Sequence, residues 1–147
     1  MRATLQRVSQ AEVRVDGATV GRIGQGWLVL LGVGHGDTEA EALKMADKVA
    51  RLRLFNDEAG KFNLSALDVG GEVLVVSQFT LYADASRGRR PSFTGAADPA
   101  VATQLVDRFA ECIAELGLKV ESGRFGAHME VLLTNDGPVT VNLAVGE

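Results

Sequence analysis

The chain has 147 residues, of which 46% are hydrophobic and 23% charged; this fits one packed domain over residues 1–147 and excludes a disordered chain. Its formal net charge is −4, which argues against a protein that coats nucleic acid nonspecifically, because phosphate neutralisation dominates such binding. A single cysteine, Cys112, excludes an internal disulfide and gives no metal framework.

The first third of the chain predicts strands. Residues 2–8 and 11–15 are two short runs, and in the second apolar and charged residues alternate. Asp16-Gly17 is a tight-turn signal that leads to a further strand around residues 19–23. Residues 27–31 are continuously apolar, as in a strand that is covered on both faces.

Two helices and a second buried strand are predicted next. Thr38 and Glu41 make a capping box that starts the first helix, and residues 73–76 form another buried strand. Asp98 as N-cap and Pro99 at the first helical position start the second helix. The apolar residues expected on the buried helix faces are Leu43, Ala46, Val49 and Ala50, then Val101, Leu105, Phe109, Ile113 and Leu116.

The tail predicts strands at roughly 119–122, 128–134 and 139–145. The order is therefore strands, strand–helix twice, then strands. It indicates a single-domain α/β layered sandwich with its helices on one side of the sheet and a second sheet layer. The N-terminus lacks the apolar run of a signal peptide, so we expect a cytoplasmic protein that does not enter a membrane.

The segment 32–37 joins a buried strand to a helix, where phosphate-binding loops are found. The dinucleotide fingerprint G-x-G-x-x-G fails because its last position is Asp37. We therefore interpret the segment as a flexible strand-to-helix turn, with His35 a solvated residue.

Ser77-Gln78-Phe79-Thr80 follows the buried run 73–76 directly. Polar residues at the carboxyl end of a central strand are where α/β proteins place ligands. A strand that runs into a polar edge explains the pattern equally well. Ser77 is not in a G-x-S-x-G elbow, so the usual esterase arrangement is absent.

Asn135-Asp136-Gly137-Pro138 lies between two predicted strands, and composition favours a hairpin turn there. Proline is the one residue at which a cis peptide costs little. A Gly-Pro pair can therefore present a rigid backbone wall without a side chain, although the sequence does not reveal whether this bond is cis.

Arginines mark two further positions. Arg87, Arg89 and Arg90 lie in a loop that is either a solvated surface or a patch that grips phosphate, with aromatic residues nearby for base stacking. Arg7 shares a strand face with apolar residues. An unpaired buried charge is costly, so Arg7 either has hydrogen-bonding partners or lies at a frayed strand end that exposes it to water.

Together these segments resemble the bacterial D-aminoacyl-tRNA deacylase family, also called D-tyrosyl-tRNA deacylases. Phe62 stands where methionine is common in that family and His128 where an acidic residue is common. The resemblance covers essentially the whole chain, in order and at family spacing. The matching segments are residues 5–8, 60–64, 71–84, 88–93, 123–127 and 135–140.

The resemblance implies a homodimer with two sites at its interface. Gly137-Pro138, in the cis form, would project from one subunit into the site of the other and face the α-carbon of the substrate. It would accept a D-residue or glycine and clash with an L side chain. Arg7 would brace this loop.

The implied reaction is hydrolysis of the ester bond of D-aminoacyl-tRNA, and of glycine mischarged on tRNA, with neither cofactor nor metal and with no DNA partner. Ser77, Gln78, Phe79 and Thr80 would surround the carbonyl with backbone N–H groups and hydroxyls. Thr80 as a covalent nucleophile needs an activating base, and its sequence neighbours supply none. We favour activation of water by the ribose hydroxyl of the substrate itself.

Other interpretations stay open. The family places Phe125 and Met129 near the terminal adenine, but Phe125 is equally suited to the core. The chain could be a serine hydrolase of another class that uses Ser77 with His128 or His35. It could also be a non-catalytic module that binds aminoacyl-tRNA, or an editing module of a larger synthetase assembly, which the absence of a linker disfavours.

Overall fold

The computed structural model describes all 147 residues. Its strands are β1 (Arg2–Val15), β2 (Ala18–Ile23), β3 (Gly26–Gly32), β4 (Phe55–Asn56), β5 (Phe62–Leu64), β6 (Glu72–Ser77), β7 (Lys119–Ser122) and β8 (Glu130–Ala144). Its helices are α1 (Glu39–Arg51), α2 (Ala66–Val69) and α3 (Pro99–Glu115), with a 3-10 helix at Phe79–Tyr82. None of these helices is long and apolar enough to cross a membrane.

Six strands form one mixed sheet in the order β2-β1-β3-β6-β7, with β8 also paired to β1. β1 is antiparallel to β2, β3 and β8, whereas β6 is parallel to β3 and β7. The two ends of the sheet approach each other. A Cβ on Gly21 of β2 would lie 2.9 Å from the carbonyl oxygen of Ser122 at the end of β7. The sheet is therefore nearly closed.

The curl of the sheet gives it two cores. All three helices pack on one face, against residues such as Leu5, Trp27 and Val75. The inner side of the curl buries a smaller cluster formed by Val8, Ala11, Val13, Ile23, Leu28, Leu74 and Val76. The predicted α/β class and the single helical face are confirmed, and the second layer is the same sheet folded over.

Two pairs of predicted strands are in fact continuous. Residues 2–8 and 11–15 belong to β1, and residues 128–134 and 139–145 correspond to β8. The reason is that β8 runs beside β1 along nearly its whole length. The hairpin turn expected at residues 135–138 was wrong, because the chain continues in the same direction after it.

The predicted helix signals are confirmed in part. Thr38 and Glu41 form both hydrogen bonds of the capping box, and α3 begins at Pro99 after Asp98. Leu43 and Val101 were wrongly expected on buried faces; they are 46% and 43% exposed. Smaller residues one position away, Ala42 and Ala102, take the interior places, which leaves the larger side chains on the helix flank.

Candidate active site

The segment Ser77–Thr80 begins where the central strand β6 ends. Ser77 pairs with Leu31 of β3, and the N–H of Gln78 donates to the carbonyl oxygen of Leu31 at 2.8 Å. The backbone then turns into the 3-10 helix. The start of the segment is therefore held by the rigid sheet, and its polar groups lie at the carboxyl end of a parallel strand pair.

Two backbone donors at this turn are not used by the 3-10 helix itself. The first N–H groups of a helix have no partner within it, and no side chain caps this one. The first bonds of this helix are made by the N–H groups of Leu81, to the carbonyl oxygen of Gln78, and of Ala83, to that of Thr80; the N–H groups of Phe79 and Thr80 precede them and have no partner within the helix. The Gln78 side chain donates to the hydroxyl oxygen of Thr80, which fixes the two side chains relative to each other.

A cavity of about 610 Å³ opens beside this segment. Ser77, Gln78 and Phe79 form one wall, and the chain around Phe125 and Met129 forms another. The ring of Phe79 is 55% exposed and packs edge-on against Phe93, with the ring centroids 5.1 Å apart. The cavity is mostly apolar and large enough for a nucleoside or a comparable group.

Few titratable side chains line this cavity. Its titratable side chains are Asp98 at the start of α3 and His128. Ser77 lines the same cavity as His128, but no hydrogen bond joins them; the segment's side-chain bond runs from Gln78 to Thr80. A serine nucleophile activated by histidine needs that bond, so the geometry disfavours the serine-hydrolase interpretation. His35 lies exposed outside this cavity.

Gly137-Pro138 forms a bulge in the middle of β8. Asn135 lies opposite Val8 of β1 and Thr140 lies opposite Gln6, so the residues between them loop out of the ladder. The Gly137-Pro138 peptide is cis, and Gly137 has φ +130°. A Cβ on Gly137 would lie 2.8 Å from Cγ2 of Val139 and 3.0 Å from its backbone nitrogen. Only glycine fits here without displacement.

Arg7 is the buried support of this bulge. It is 6% exposed, and its Nε donates to the carbonyl oxygen of Asp136 at 3.2 Å. Its Nη1 donates to the carbonyl oxygen of Leu54 at 2.8 Å and to Oδ1 of Asn56 at 3.0 Å. The charge on the apolar strand face therefore has hydrogen-bonding partners, and the alternative of a frayed strand end that exposes Arg7 to water was wrong.

Asn135 begins the bulge and has a structural role that was not predicted from the sequence. Its Nδ2 donates to the carbonyl oxygens of Arg7, at 2.9 Å, and Val139, at 3.0 Å. The side chain thus bridges the two strands where the ladder is interrupted. Asparagine is common where a side chain replaces lost backbone bonds, and this preference is the signal that could have identified it.

The glycine-rich segment after β3 makes room for Tyr82 of the 3-10 helix. A Cβ on Gly34 would lie 2.5 Å from the Tyr82 hydroxyl oxygen, and one on Gly32 would lie 3.2 Å from its ring. Burial raises the pKa of Tyr82 to about 12, with the Asp37 carboxylate as the next cause. The segment is a strand-to-helix turn rather than a phosphate loop, and His35 is exposed as expected.

Comparison with known proteins places the chain in a family. The model of the D-Tyr-tRNA(Tyr) deacylase family matches residues 4–144. The chain belongs to this family. A D-aminoacyl-tRNA deacylase of Roseiflexus castenholzii is 62% identical over 97% of this chain and 91% of its own length. One of Thermomicrobium roseum is 63% identical over 100% and 96%.

Solved structures with a similar fold are known for this member of the D-Tyr-tRNA(Tyr) deacylase family. The protein described as "c-Myc DNA Unwinding Element Binding Protein" is 39% identical, with a TM-score of 0.94 and 100% of both chains covered. A probable eukaryotic D-amino acid tRNA deacylase is 18% identical, with a TM-score of 0.82 over 97% of both chains, and shows the same fold.

In a single chain of this deacylase family member, the site residues expected from the sequence lie in separate regions of the surface. Arg7, Gly137 and Pro138 line a second cavity of about 420 Å³, which shares no lining residue with the cavity beside Ser77. The residues Arg87, Arg89 and Arg90 are all exposed in a loop closed by the Asp84–Ser92 bridge. They line neither cavity.

Proposed function

We propose that this protein hydrolyses the ester bond of D-aminoacyl-tRNA, and of glycine mischarged on tRNA, releasing the free amino acid and tRNA. As a D-aminoacyl-tRNA deacylase it is a carboxylic ester hydrolase. The observation that carries this proposal is the match to the deacylase family over residues 4–144, with relatives of that activity at 62–63% identity. Because tRNA is charged and used in the cytoplasm, we place the reaction there.

The segment Ser77–Thr80 is the proposed catalytic element. As water attacks the ester carbonyl, negative charge develops on its oxygen, and fixed N–H donors stabilise that charge without reorganisation. The N–H groups of Phe79 and Thr80, which the 3-10 helix itself does not use, suit this role because the sheet fixes the turn that presents them. Ser77, Gln78 and Phe79 line the adjacent cavity.

We further propose that the substrate activates the water. The ribose hydroxyl next to the ester would take the proton of the attacking water and pass it to the leaving ribose oxygen as the ester bond breaks. The Thr80 hydroxyl is bonded to Gln78 and to no basic side chain. It is therefore better suited to position the water than to attack the carbonyl itself.

Chiral selection is assigned to Gly137-Pro138 acting on a site in a second copy of the chain. Both residues are exposed and lie in a cavity separate from that of Ser77. A homodimer with sites at its interface would unite the two parts. The backbone of the bulge would then face the substrate α-carbon, leaving room for hydrogen but none for an L side chain.

The acceptor end of tRNA needs further contacts. Phe125 and Met129 line the cavity beside Ser77, and we propose that they hold the terminal adenine. Phe125 is 38% exposed, so its ring is available for base stacking. The exposed loop with Arg87, Arg89 and Arg90 is proposed to contact the RNA backbone through charge.

One assay tests the activity. Matched D- and L-aminoacyl-tRNA are incubated with the protein and the free amino acid is measured. Release from the D form alone is expected, while equal release from both, or from neither, contradicts the proposal. A non-catalytic binding module would bind the substrate and release nothing.

A second assay tests the mechanism. D-aminoacyl-tRNA whose terminal ribose carries 2′-deoxy in place of the free hydroxyl should be hydrolysed far more slowly. The intact tRNA serves as the control. Hydrolysis of the deoxy analogue at the normal rate would contradict activation of water by the substrate. It would favour Thr80 as the nucleophile instead.

A further inference from the structure

We propose that Arg2 is a positioning residue for the proposed catalytic segment. It holds the far end of the 3-10 helix, so that the N–H groups of Phe79 and Thr80 keep a fixed direction. The inference rests on the proposed function, since it requires that these two N–H groups stabilise the ester carbonyl. Arg2 is the first residue of β1 and does not line the cavity beside Ser77.

The 3-10 helix is a single turn that is bonded to the sheet at its near end. There the N–H of Gln78 donates to the carbonyl oxygen of Leu31 at 2.8 Å. Within the turn, Leu81 donates to Gln78 at 3.2 Å and Ala83 donates to Thr80 at 3.0 Å. Hydrogen-bond geometry is poorer in a 3-10 helix than in an α-helix, so one turn does not fix its own direction. The far end of the helix needs support from outside.

Arg2 supports that far end through its guanidinium group. Nη1 donates to the carbonyl oxygen of Leu81 at 3.1 Å. The group also lies over the ring of Tyr82, with 4.5 Å from Cζ to the centroid, which is within cation–π range. Nε and Nη2 donate to Oε1 of Glu147 at 3.1 and 2.7 Å, and this fixes the plane of the guanidinium. The two residues that carry the N–H groups therefore lie between an anchor on β3 and an anchor on Arg2.

The ring of Tyr82 has little room to shift. Three glycines from two other segments leave the space that it fills. A Cβ would lie 3.2 Å from Cε2 of the ring at Gly32, 2.5 Å from the hydroxyl oxygen at Gly34 and 3.3 Å from Cδ1 at Gly95. The ring is thus held between the turn that follows β3 and the segment that precedes α3. Arg2 completes this support and ties it to the Leu81 carbonyl.

Loss of the guanidinium should release the far anchor and leave the near one. Fixed donors are effective because they do not reorganise during the reaction, so the change should appear in the chemical step. Arg2→Ala should lower kcat for D-aminoacyl-tRNA about tenfold, since a displacement of about 1 Å can cost about 10²-fold, with KM unchanged. Arg2→Lys keeps the charge but loses the planar fork, so its kcat should lie between.

A double-mutant cycle tests whether Arg2 acts through these N–H groups. Phe79→Pro removes one of them. If Arg2 positions that donor, Arg2→Ala should lower kcat by a smaller factor in the Phe79→Pro protein than in the unchanged protein. Equal factors in the two proteins would show that Arg2 acts independently of the donor, and would overturn the proposal.

Arg14→Ala is the matched control. Arg14 also belongs to β1, its ion pair has the same length of 2.7 Å, and its side chain is 40% exposed against 41% for Arg2. This variant should keep the kcat of the unchanged protein. Urea unfolding and sedimentation compare the stability and the oligomeric state of all variants, which should be alike.

Three results would overturn the proposal. They are a kcat of Arg2→Ala equal to that of Arg14→Ala, an effect on KM alone, and a loss of kcat that accompanies unfolding or a changed oligomeric state. If the unchanged protein released no amino acid from D-aminoacyl-tRNA, the proposed function itself would fail first, and the inference with it.

Discussion

The two segments proposed to form one site are built by different means. Ser77–Thr80 extends from a central strand, and backbone hydrogen bonds to β3 fix where it begins. Gly137-Pro138 projects from a bulge in β8, where the ladder to β1 is interrupted. Side chains hold that bulge: Arg7 beneath it and Asn135 across it.

The two segments are suited to two different tasks, stabilisation of charge and steric rejection. A carbonyl that gains charge needs donors that do not move, and the end of a central strand provides them. Steric rejection of an L side chain needs a backbone surface that reaches outside its own chain, and the exposed tip of the bulge at Gly137-Pro138 provides that. Damage to the first segment should therefore reduce the rate, while damage to the second should reduce selectivity.

The largest effect is expected from Phe79→Pro, which removes one N–H at the start of the 3-10 helix. Proline suits the first helical position, where no partner within the helix is lost. Loss of one such donor typically lowers kcat about 10²–10³-fold. Single-turnover hydrolysis of D-aminoacyl-tRNA measures it. Phe79→Ala keeps the N–H and should lose far less; equal losses would show that the ring, not the donor, matters.

Arg7→Ala should act on selectivity and stability together. Removal of the guanidinium breaks its part-buried hydrogen bonds to the carbonyl oxygens of Leu54 and Asp136, at a cost of about 1–3 kcal/mol in the free energy of unfolding. With the bulge unsupported, the ratio of kcat/KM for D- over L-aminoacyl-tRNA should fall at least about tenfold. Urea unfolding and paired deacylation assays measure the two effects. A destabilised variant with its chiral ratio intact would contradict the bracing role.

The smallest effect concerns Tyr82, which supports the 3-10 helix against Gly32 and Gly34. Burial raises its pKa to about 12 from the ordinary 10.0. The neutral phenol therefore stabilises the fold fully below pH 10, and this contribution is lost as pH rises from 10 towards 12. Tyr82 is the only tyrosine, so its ultraviolet absorbance titration is unambiguous. Ionisation near pH 10 in the folded protein would contradict the burial argument.

The elements with local signals could be predicted from the sequence. The capping box of Thr38 and Glu41, the Asp98-Pro99 start of α3 and the buried run before Ser77 each depend on residues close together in the chain. The position of Arg7 was also informative. A charge on an apolar strand face requires hydrogen-bonding partners, so the sequence indicated that Arg7 has them.

The remaining features depend on pairing between distant segments. Gly137-Pro138 is a bulge rather than a hairpin because β1 continues past it on both sides, which residues 135–138 alone do not reveal. The acceptors of Arg7 lie 47 to 129 positions away. Gly34 is required by Tyr82, which follows it in the chain after two helices and three strands.

The measurement that tests the central claim most directly uses a purified heterodimer of Phe79→Pro and Arg7→Ala chains, obtained by co-expression with two different tags. If sites are shared, its one active site combines Ser77–Thr80 of the Arg7→Ala chain with the intact bulge of the other chain. The heterodimer should then show about half the activity of the unchanged protein and its full D-over-L selectivity. If instead the activity has the reduced selectivity of the Arg7→Ala homodimer, or no doubly tagged species forms, each chain carries its own site and the account is contradicted.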